Sequence, residues 1–142
     1  MAKSDINSIC QETHDVFISY SRQDKEIAEY ICSILNDKGI NYWIDKEGIY
    51  SSVNYKEVIV DAIDTAKAII FISSVNSNSS NYVIREIGYS VNKEKPILPI
   101  MVDEMPFAKS ISFDISDIDQ IEFSYSEEFK RRLIMSLLYA LS

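Results

Sequence analysis

Apolar and polar residues follow one another in blocks along the 142-residue chain, and the spacing within the blocks changes from strand-like to helical. Mainly apolar runs predict strands at residues 15–20, 40–44, 68–72 and 96–102, and the first of them is typical of a strand buried on both faces. Residues 120–123 are a candidate for a short fifth strand. The run at 68–72 is almost wholly apolar, so we expect it to be the most buried strand. Pro96 and Pro99 predict that the fourth strand is edge-like or irregular, because proline donates no ladder hydrogen bond.

Between these runs, apolar residues recur at helical spacing. They predict helices over about 25–38, 55–66, 80–92 and 126–141, and no firm helix within 103–119. Asp24 is a suitable N-cap for the first helix, and Gly39 suits the left-handed position after its C-terminus. Residues 45–54 and 73–81 are polar and are expected to be loops.

Alternation of strands and helices is typical of βαβ units and a parallel sheet. We therefore expect an α/β fold, namely a flavodoxin-like, doubly wound sheet of about five parallel strands with helices on both faces. Residues 1–13 are polar and aperiodic and are expected to be a flexible lead-in to a single domain at 14–142. Ligands of such sheets bind at the carboxyl ends of the strands, where Ser19 to Arg22 follow the first strand.

Net charge and the lengths of the apolar stretches limit which binding partners and which cellular compartment we expect. Fourteen Lys and Arg against twenty-two Asp and Glu give a net charge of −8, which disfavours nucleic acid and anionic membranes as main partners. No apolar stretch approaches the roughly 20 residues of a membrane span, and no secretion signal precedes the first strand. We therefore expect a cytoplasmic protein.

Cysteine and histidine usage argues against two kinds of site. Cys10 and Cys32 are the two cysteines and His14 is the single histidine, and these residues do not have the spacing of metal ligands. We expect reduced thiols and no metal site. A single histidine at the entry to the first strand also argues against a Ser-His-Asp hydrolase.

Three phosphate-handling sites of α/β proteins do not fit the sequence. A dinucleotide-binding turn and a P-loop need glycines after the first strand, whereas the three glycines are at positions 39, 48 and 88. A phosphoacceptor receiver domain needs an aspartate at the end of the third strand, and Ile72, Ser73 and Ser74 stand there.

Four blocks, in order and at matching spacing, resemble the TIR (Toll/interleukin-1 receptor) domain family. Residues 15–20 read D-V-F-I-S-Y, as in its first signature box, and residues 95–100 read K-P-I-L-P-I, similar to its I-x-P-I strand. Trp43-Ile44-Asp45 opens a long loop, in which Ser52 replaces the usual glycine, and A-I-D-T-A at 62–66 ends the next helix. Residues 82–86 read Y-V-I-R-E and resemble the W-x-x-x-E pattern of enzymatic members, with Tyr82 in place of Trp.

Glu86 is the candidate catalytic residue. By pattern alone it fits a solvated helix glutamate. However, Tyr82 and Glu86 share one helix face, and Val83 and Ile87 mark the neighbouring core-facing side. We therefore expect Glu86 at the edge of the buried face, near the ligand end of the sheet, and the resemblance implies that it is catalytic.

The resemblance implies an NAD+ glycohydrolase or cyclase of the bacterial type, with NAD+ as substrate and no cofactor. Its products would be nicotinamide and ADP-ribose or a cyclic isomer. Breaking the nicotinamide–ribose bond builds oxocarbenium character on the sugar, which a carboxylate hydrogen-bonded to the ribose hydroxyls stabilises. The leaving group is a cationic pyridinium that departs neutral, so no general acid is needed.

Candidate NAD+-binding residues come from the same resemblance. Tyr82 or Trp43 can hold the pyridinium by stacking and cation–π attraction, although Trp43 fits the core better than a ligand wall. Arg22 is either a phosphate ligand or a solvated surface arginine. Carried over by position, the remaining pocket residues are Tyr20, Ser21, Asp45, Ile49, Tyr50 and Ser52.

Two functions stay open from the sequence. The first is an enzyme of antiphage or immune signalling that is active as an assembly, with TIR–TIR contacts through the loop of residues 45–54. The second is a non-catalytic TIR scaffold that signals by homotypic association. Glu86 favours the enzyme, because pure adaptors need not keep this glutamate. The sequence does not distinguish hydrolysis from cyclisation.

Overall fold

A computed structural model describes residues 15–45 and 54–142 of the protein. Its centre is a sheet of five parallel strands in the order β2-β1-β3-β4-β5. The strands are β1 (Val16–Ser19), β2 (Tyr42–Trp43), β3 (Ala68–Ser73), β4 (Ile97–Met101) and β5 (Ile121–Glu122). The predicted flavodoxin-like parallel sheet is confirmed, and the predicted lead-in at 1–13 lies outside the described residues.

Five α-helices cover the sheet in the described ranges. They are α1 (Lys25–Asp37), α2 (Tyr55–Thr65), α3 (Asn81–Asn92), α4 (Lys109–Ile115) and α5 (Glu127–Leu141). Four of them match the predicted helices to within one residue. Gly39 follows α1 with a φ of +68°, as its left-handed prediction requires.

The two faces of the sheet pack against different helices. Val16 and Ile18 point into a core shared with α1 and α5. Phe17 points to the opposite face, where α2, α3 and α4 pack. Because side chains alternate along a strand, Ser19 faces the same side as Phe17 and lies at the carboxyl end of β1. Because of this alternation, the side chain of Ser19, the last residue of β1, points toward α3.

β3 is the central strand, and all six of its residues are buried, as predicted. β4 is not an edge strand, and here the prediction from its prolines was wrong. The backbone N–H of Val102 donates to Ser73 of β3, whereas the carbonyl of Met101 accepts from Phe123 beyond β5. The backbone N–H and C=O groups of the odd-numbered residues of β4 therefore point toward β5. Pro99 is one of these residues, so it is on the β5 side that β4 lacks an N–H group. β5 pairs only with the last two residues of β4, so Pro99 interrupts no ladder bond there.

Two further features differ from the predictions. Helix α4 lies in the 103–119 segment, where no firm helix was expected. It has only seven residues, and Ile111 and Ile115 bury one side of it, so tertiary packing rather than a long periodic pattern forms it. Four of the five strands are also shorter than predicted; β2 is reduced to the two residues that pair with β1.

Asp24 occupies the N-cap position of α1, but its side chain makes no capping hydrogen bond. Its carboxylate instead accepts from the hydroxyl of Ser74 at 2.5 Å and from the side-chain amide of Asn76 at 3.2 Å. These two residues follow β3. The carboxylate predicted to cap α1 thus joins the turn after β1 to the turn after β3.

Candidate active site

Glu86 is buried at the carboxyl end of the sheet. Helix α3 begins after Ser80, whose hydroxyl accepts from the backbone N–H of Val83. Its buried residues are Val83, Glu86, Ile87 and Ser90, a helical stripe that turns toward the sheet. Glu86 is therefore within the buried stripe, and only 4% of it is exposed. It lies deeper than the edge position predicted from the sequence.

Ser19 holds one oxygen of this carboxyl group. Its hydroxyl donates to Oε1 of Glu86 at 2.6 Å, across 67 residues of sequence. Ser19 itself is fully buried at the end of β1. The other oxygen, Oε2, has no hydrogen-bond partner among residues 15–45 and 54–142. Oε1 is thus anchored by Ser19, whereas Oε2 can still accept a hydrogen bond from a ligand.

Burial raises the pKa of Glu86 to about 8. The hydrogen bond from Ser19 favours the charged form and lowers the pKa, whereas the nearby Asp45 carboxylate raises it. A buried carboxyl group with an unfilled hydrogen bond costs stability. Such groups with strongly shifted pKa values are concentrated at functional sites. Both observations mark Glu86 as a candidate catalytic group.

A small cleft of about 10 Å³ opens beside Glu86 on the β1–β2 side. Four of the predicted site residues line it together with Ile18 and Glu86, namely Tyr20, Arg22, Trp43 and Asp45. The hydroxyl of Tyr20 donates to the backbone carbonyl of Asp45 at 3.0 Å, which fixes the end of β2 against the end of β1. The cleft has room for about one water molecule, so a ligand must displace side chains to enter from this side.

Trp43 lies between the core and the cleft. Its ring stacks on Phe17, with centroids 5.1 Å apart and planes 5° apart, so it extends the core on the α3 side. It is also only half-buried and lines the cleft beside Glu86.

A second cavity approaches Glu86 from the other side, between α2 and α3. This α2–α3 groove has a volume of about 250 Å³. Its walls are mainly apolar, and the exposed side chains of Lys56 and Arg85 also line it. Tyr82 lies at its edge in an edge-to-face contact with Tyr55, with ring centroids 5.8 Å apart. Glu86 lines both the groove and the cleft, and the groove is the larger of the two cavities.

Ser21 is the predicted site residue that, among those the structure describes, lines neither cavity at Glu86. The hydroxyl of Ser21 accepts from the backbone N–H of Gln23 and donates to its side chain, so it caps the short 3₁₀ turn at Arg22–Asp24. Ile49, Tyr50 and Ser52 lie outside the described residues. From the sequence, Ser19 is expected at the ligand end of β1 but is not among the predicted site residues; its strand parity, shared with Phe17, is the available signal.

The described residues hold no group of three or more His, Cys, Asp or Glu side chains arranged for a metal ion. Among the same residues, no helix has both the length and the apolar character needed to cross a bilayer.

Three solved structures resemble this fold. The TIR domain of the Toll-related receptor TRR-2 from Hydra magnipapillata has a TM-score of 0.72 and 18% identity, covering 89% of this chain and 99% of that one. The CMP N-glycosidase BcmB of Clostridium botulinum has a TM-score of 0.62 and 21% identity, over 84% and 97%. A metazoan TIR-STING receptor from C. gigas, in complex with 2′,3′-cGAMP, has a TM-score of 0.61 and 19% identity, over 91% and 39%. At these identities the likeness concerns the fold alone.

Comparison of sequences finds a relative of higher identity and a family match. A relative from Methanobrevibacter olleyae, the probable 2′ cyclic ADP-D-ribose synthase TcpO, is 29% identical over 101 residues. The match covers 68% of this chain and only 29% of that relative's length. Residues 16–134 match the family described as the TIR domain. The predicted resemblance is therefore confirmed, and this chain belongs to the TIR domain family.

Proposed function

We propose that this protein cleaves the bond between nicotinamide and ribose in NAD+, releasing nicotinamide and ADP-ribose or a cyclic isomer. One observation carries the proposal: the carboxyl group of Glu86 is buried between two cavities, with Oε1 held by Ser19 and Oε2 open. The name of the M. olleyae relative supports NAD+ chemistry. NAD-cleaving TIR enzymes take NAD+ as substrate and need no further cofactor.

In the proposed mechanism, Glu86 receives a ribose hydroxyl on its open oxygen. The C1′–N bond breaks, the electron pair goes to the pyridinium nitrogen, and neutral nicotinamide leaves. The ionised carboxyl group stabilises the oxocarbenium-like sugar that remains. Water then attacks C1′ and gives ADP-ribose and a proton; attack by another group of the same molecule gives the cyclic product. The rings of Tyr82 and Trp43 are the candidates for holding the pyridinium.

The protonation state of Glu86 sets a pH dependence for this reaction. With a pKa of about 8, Glu86 is mostly protonated in the free enzyme at neutral pH. The charged form is the one that stabilises the transition state, so kcat/KM for NAD+ is expected to rise with pH and to level off above about 8. Binding of the cationic nicotinamide ring favours ionisation, so substrate binding releases a proton.

A second candidate function is hydrolysis of a nucleotide with a neutral base, such as CMP. A neutral pyrimidine leaves more easily when an acid protonates it, and a protonated Glu86 can be that acid. The fold neighbour BcmB is named as a CMP N-glycosidase, which makes CMP the substrate to test. For this reaction kcat/KM is expected to fall as the pH rises through about 8, opposite to the direction for NAD+.

We place the enzyme in the cytoplasm and in antiphage or other immune signalling. TIR domains generally self-associate, and in our proposal the loop of residues 45–54 makes such contacts between copies and completes the site. A TIR scaffold without chemistry is the alternative. It would use the same fold and would not need the open carboxyl oxygen of Glu86.

The test is product analysis by chromatography. Concentrated protein is incubated with NAD+ and, separately, with CMP between pH 6 and pH 9, beside the Glu86→Gln variant. Nicotinamide released by the parent and not by the variant supports NAD+ cleavage, and the second product distinguishes hydrolysis from cyclisation. Cytosine release with the opposite pH profile favours the second candidate. No turnover of either substrate, including under conditions that drive assembly, favours the scaffold.

A further inference from the structure

Two cationic side chains, Lys56 and Arg85, line the α2–α3 groove that Glu86 also lines. Lys56 comes from the first turn of α2, and Arg85 precedes Glu86 on α3. Both side chains are exposed. Among the described residues, neither forms a salt bridge. Acidic residues outnumber basic ones in the chain by 22 to 14, so two such cations on one small groove are unexpected for a solvated surface.

We propose that Arg85, assisted by Lys56, binds the 5′-phosphate of a nucleotide whose ribose lies at Glu86. Arginine presents a planar fork of N–H donors that matches two phosphate oxygens, whereas lysine acts as a point charge. Arg85 is accordingly the main ligand and Lys56 the second. This inference rests on the proposed function for the identity of the sugar, and it adds the recognition of the phosphate.

The dimensions of the site agree with this assignment. Arg85 and Glu86 are consecutive residues of α3, and both line the groove although their side chains diverge by about 100° around the helix. In a nucleotide, one ribose ring and one carbon separate the reacting C1′ from the 5′-phosphate, so one molecule can contact both side chains. The groove volume of about 250 Å³ is below the roughly 300–1,000 Å³ of pockets that enclose a drug-sized ligand. It therefore suits one nucleotide and not a whole dinucleotide.

The rest of the groove fits a nucleotide half of this kind. Its other walls are mainly apolar, with Ile59 and Ile63 buried at one side and the rings of Tyr55 and Tyr82 at another. Glu86 supplies a polar group that is more than nine-tenths buried and has one open oxygen. Apolar walls, one buried polar anchor and two cations are the elements of a specific small-molecule site.

Two compounds that differ only in the phosphate test this assignment, namely nicotinamide mononucleotide and nicotinamide riboside. For the parent, we expect kcat/KM to be about 10-fold to 100-fold higher for the mononucleotide, the effect of losing a hydrogen bond to a charged group. Arg85→Gln should reduce this preference to within about threefold, mainly through KM, and leave the riboside rate unchanged. Arg85→Lys should retain part of the preference, and Lys56→Gln should have a smaller effect than Arg85→Gln.

The matched control is Arg131→Gln, which removes an exposed arginine from α5 on the opposite face of the sheet. It should leave the preference intact. The proposal is overturned if Arg85→Gln slows both compounds equally, because Arg85 then acts on the fold or on Glu86. It is also overturned if Arg85→Gln changes neither rate.

Direct binding separates this proposal from the proposed function. Calorimetric titration of the parent and of Arg85→Gln with both compounds needs no turnover. If the parent releases no nicotinamide but binds the mononucleotide more tightly than the riboside, and Arg85→Gln abolishes that difference, the phosphate site stands while NAD+ cleavage fails. Equal binding of the two compounds by the parent contradicts the phosphate site itself.

Discussion

Three buried carboxyl groups, Asp24, Asp45 and Glu86, lie at the carboxyl-terminal edge of this sheet, and the surroundings of Asp24 and Glu86 differ. Asp24 and Glu86 are 7% and 4% exposed. Both oxygens of Asp24 accept hydrogen bonds, from Ser74 and Asn76. Glu86 has one such bond, from Ser19, and its second oxygen has no partner within the described ranges. Similar burial therefore accompanies a satisfied acid in one case and a half-satisfied acid in the other.

The difference agrees with a structural role for Asp24 and with the proposed catalytic role of Glu86. Asp24 joins the turns after β1 and β3, the two strands between which the strand order of the sheet reverses. Ligands often bind in the crevice at this point in open α/β sheets, but here Asp24, Ser74 and Asn76 bond to one another across it. Glu86 instead bonds to Ser19 at the end of β1 and lines two cavities, and its second oxygen has no partner among the described residues. Burial alone would not have distinguished the two acids, whereas counting their hydrogen bonds does.

The largest expected effect is on catalysis. Glu86→Gln keeps the shape of the side chain and removes its capacity to become charged, so we expect nicotinamide release to fall by about 10³-fold. The measurement is the initial rate on NAD+, with Glu128→Gln on α5 as an exposed acid control that keeps the parent rate. A Glu86→Gln variant with the parent rate would show that this carboxyl group takes no part in the reaction.

The next effect is on the pH dependence of stability. Glu86 has a pKa of 4.5 as an ordinary glutamate and about 8 in the folded protein. Between these values the folded state holds a proton that the unfolded state has lost, so stability falls as the pH rises through this window. Relative to Glu86→Gln, the parent should lose about 2 kcal/mol of unfolding free energy between pH 5.5 and pH 7.5.

Urea denaturation of both proteins at the two pH values measures this difference. The comparison between parent and variant cancels the other titrating groups, which the two proteins share. Parallel pH dependences would contradict the raised pKa and, with it, the direction expected for the rate on NAD+.

Asp24→Ala should lower stability and leave the catalytic rate intact, the opposite of what we expect for Glu86→Gln. It leaves the hydroxyl of Ser74 and the amide of Asn76 without their acceptor, so we expect a loss of about 1–2 kcal/mol in unfolding free energy. The rate per folded molecule should stay near that of the parent, because Asp24 faces neither cavity at Glu86. Urea denaturation beside the exposed control Asp37→Ala measures the loss. A large loss of kcat with unchanged stability would mean that the two acids share one function.

Much of this fold is predictable from the sequence because its signals are local. The apolar run at 68–72 identifies the central strand, and helical spacing gives α1, α2, α3 and α5 to within one residue. Helix α4 could not be predicted from the sequence because it has only two buried isoleucines in seven residues and depends on packing against the rest of the domain. The interior position of β4 depends on which neighbour Pro99 faces, and the sequence does not contain that information.

The site is less predictable because its contacts join distant parts of the chain. Ser19 and Glu86 are separated by 67 residues, and Asp24 and Ser74 by 50. A residue pattern indicates that Asp24 can cap a helix; only the structure shows that its carboxylate bonds elsewhere. Glu86 was identified through the family resemblance, whereas helical periodicity, which counts glutamate as polar, placed it at the edge of the buried face.

The smallest expected effect tests the anchor of Glu86 itself. The hydroxyl of Ser19 favours the charged carboxylate, so Ser19→Ala should raise the pKa of Glu86 further. At pH 7 we expect kcat/KM for NAD+ to fall by about threefold to tenfold, because less of the enzyme is ionised. The decisive measurement is the whole pH profile. It should move to higher pH and recover most of the parent rate on its alkaline side, whereas damage to the fold would lower the rate equally at every pH. A uniform decrease would therefore assign Ser19 to packing and leave the ionisation of Glu86 to burial alone.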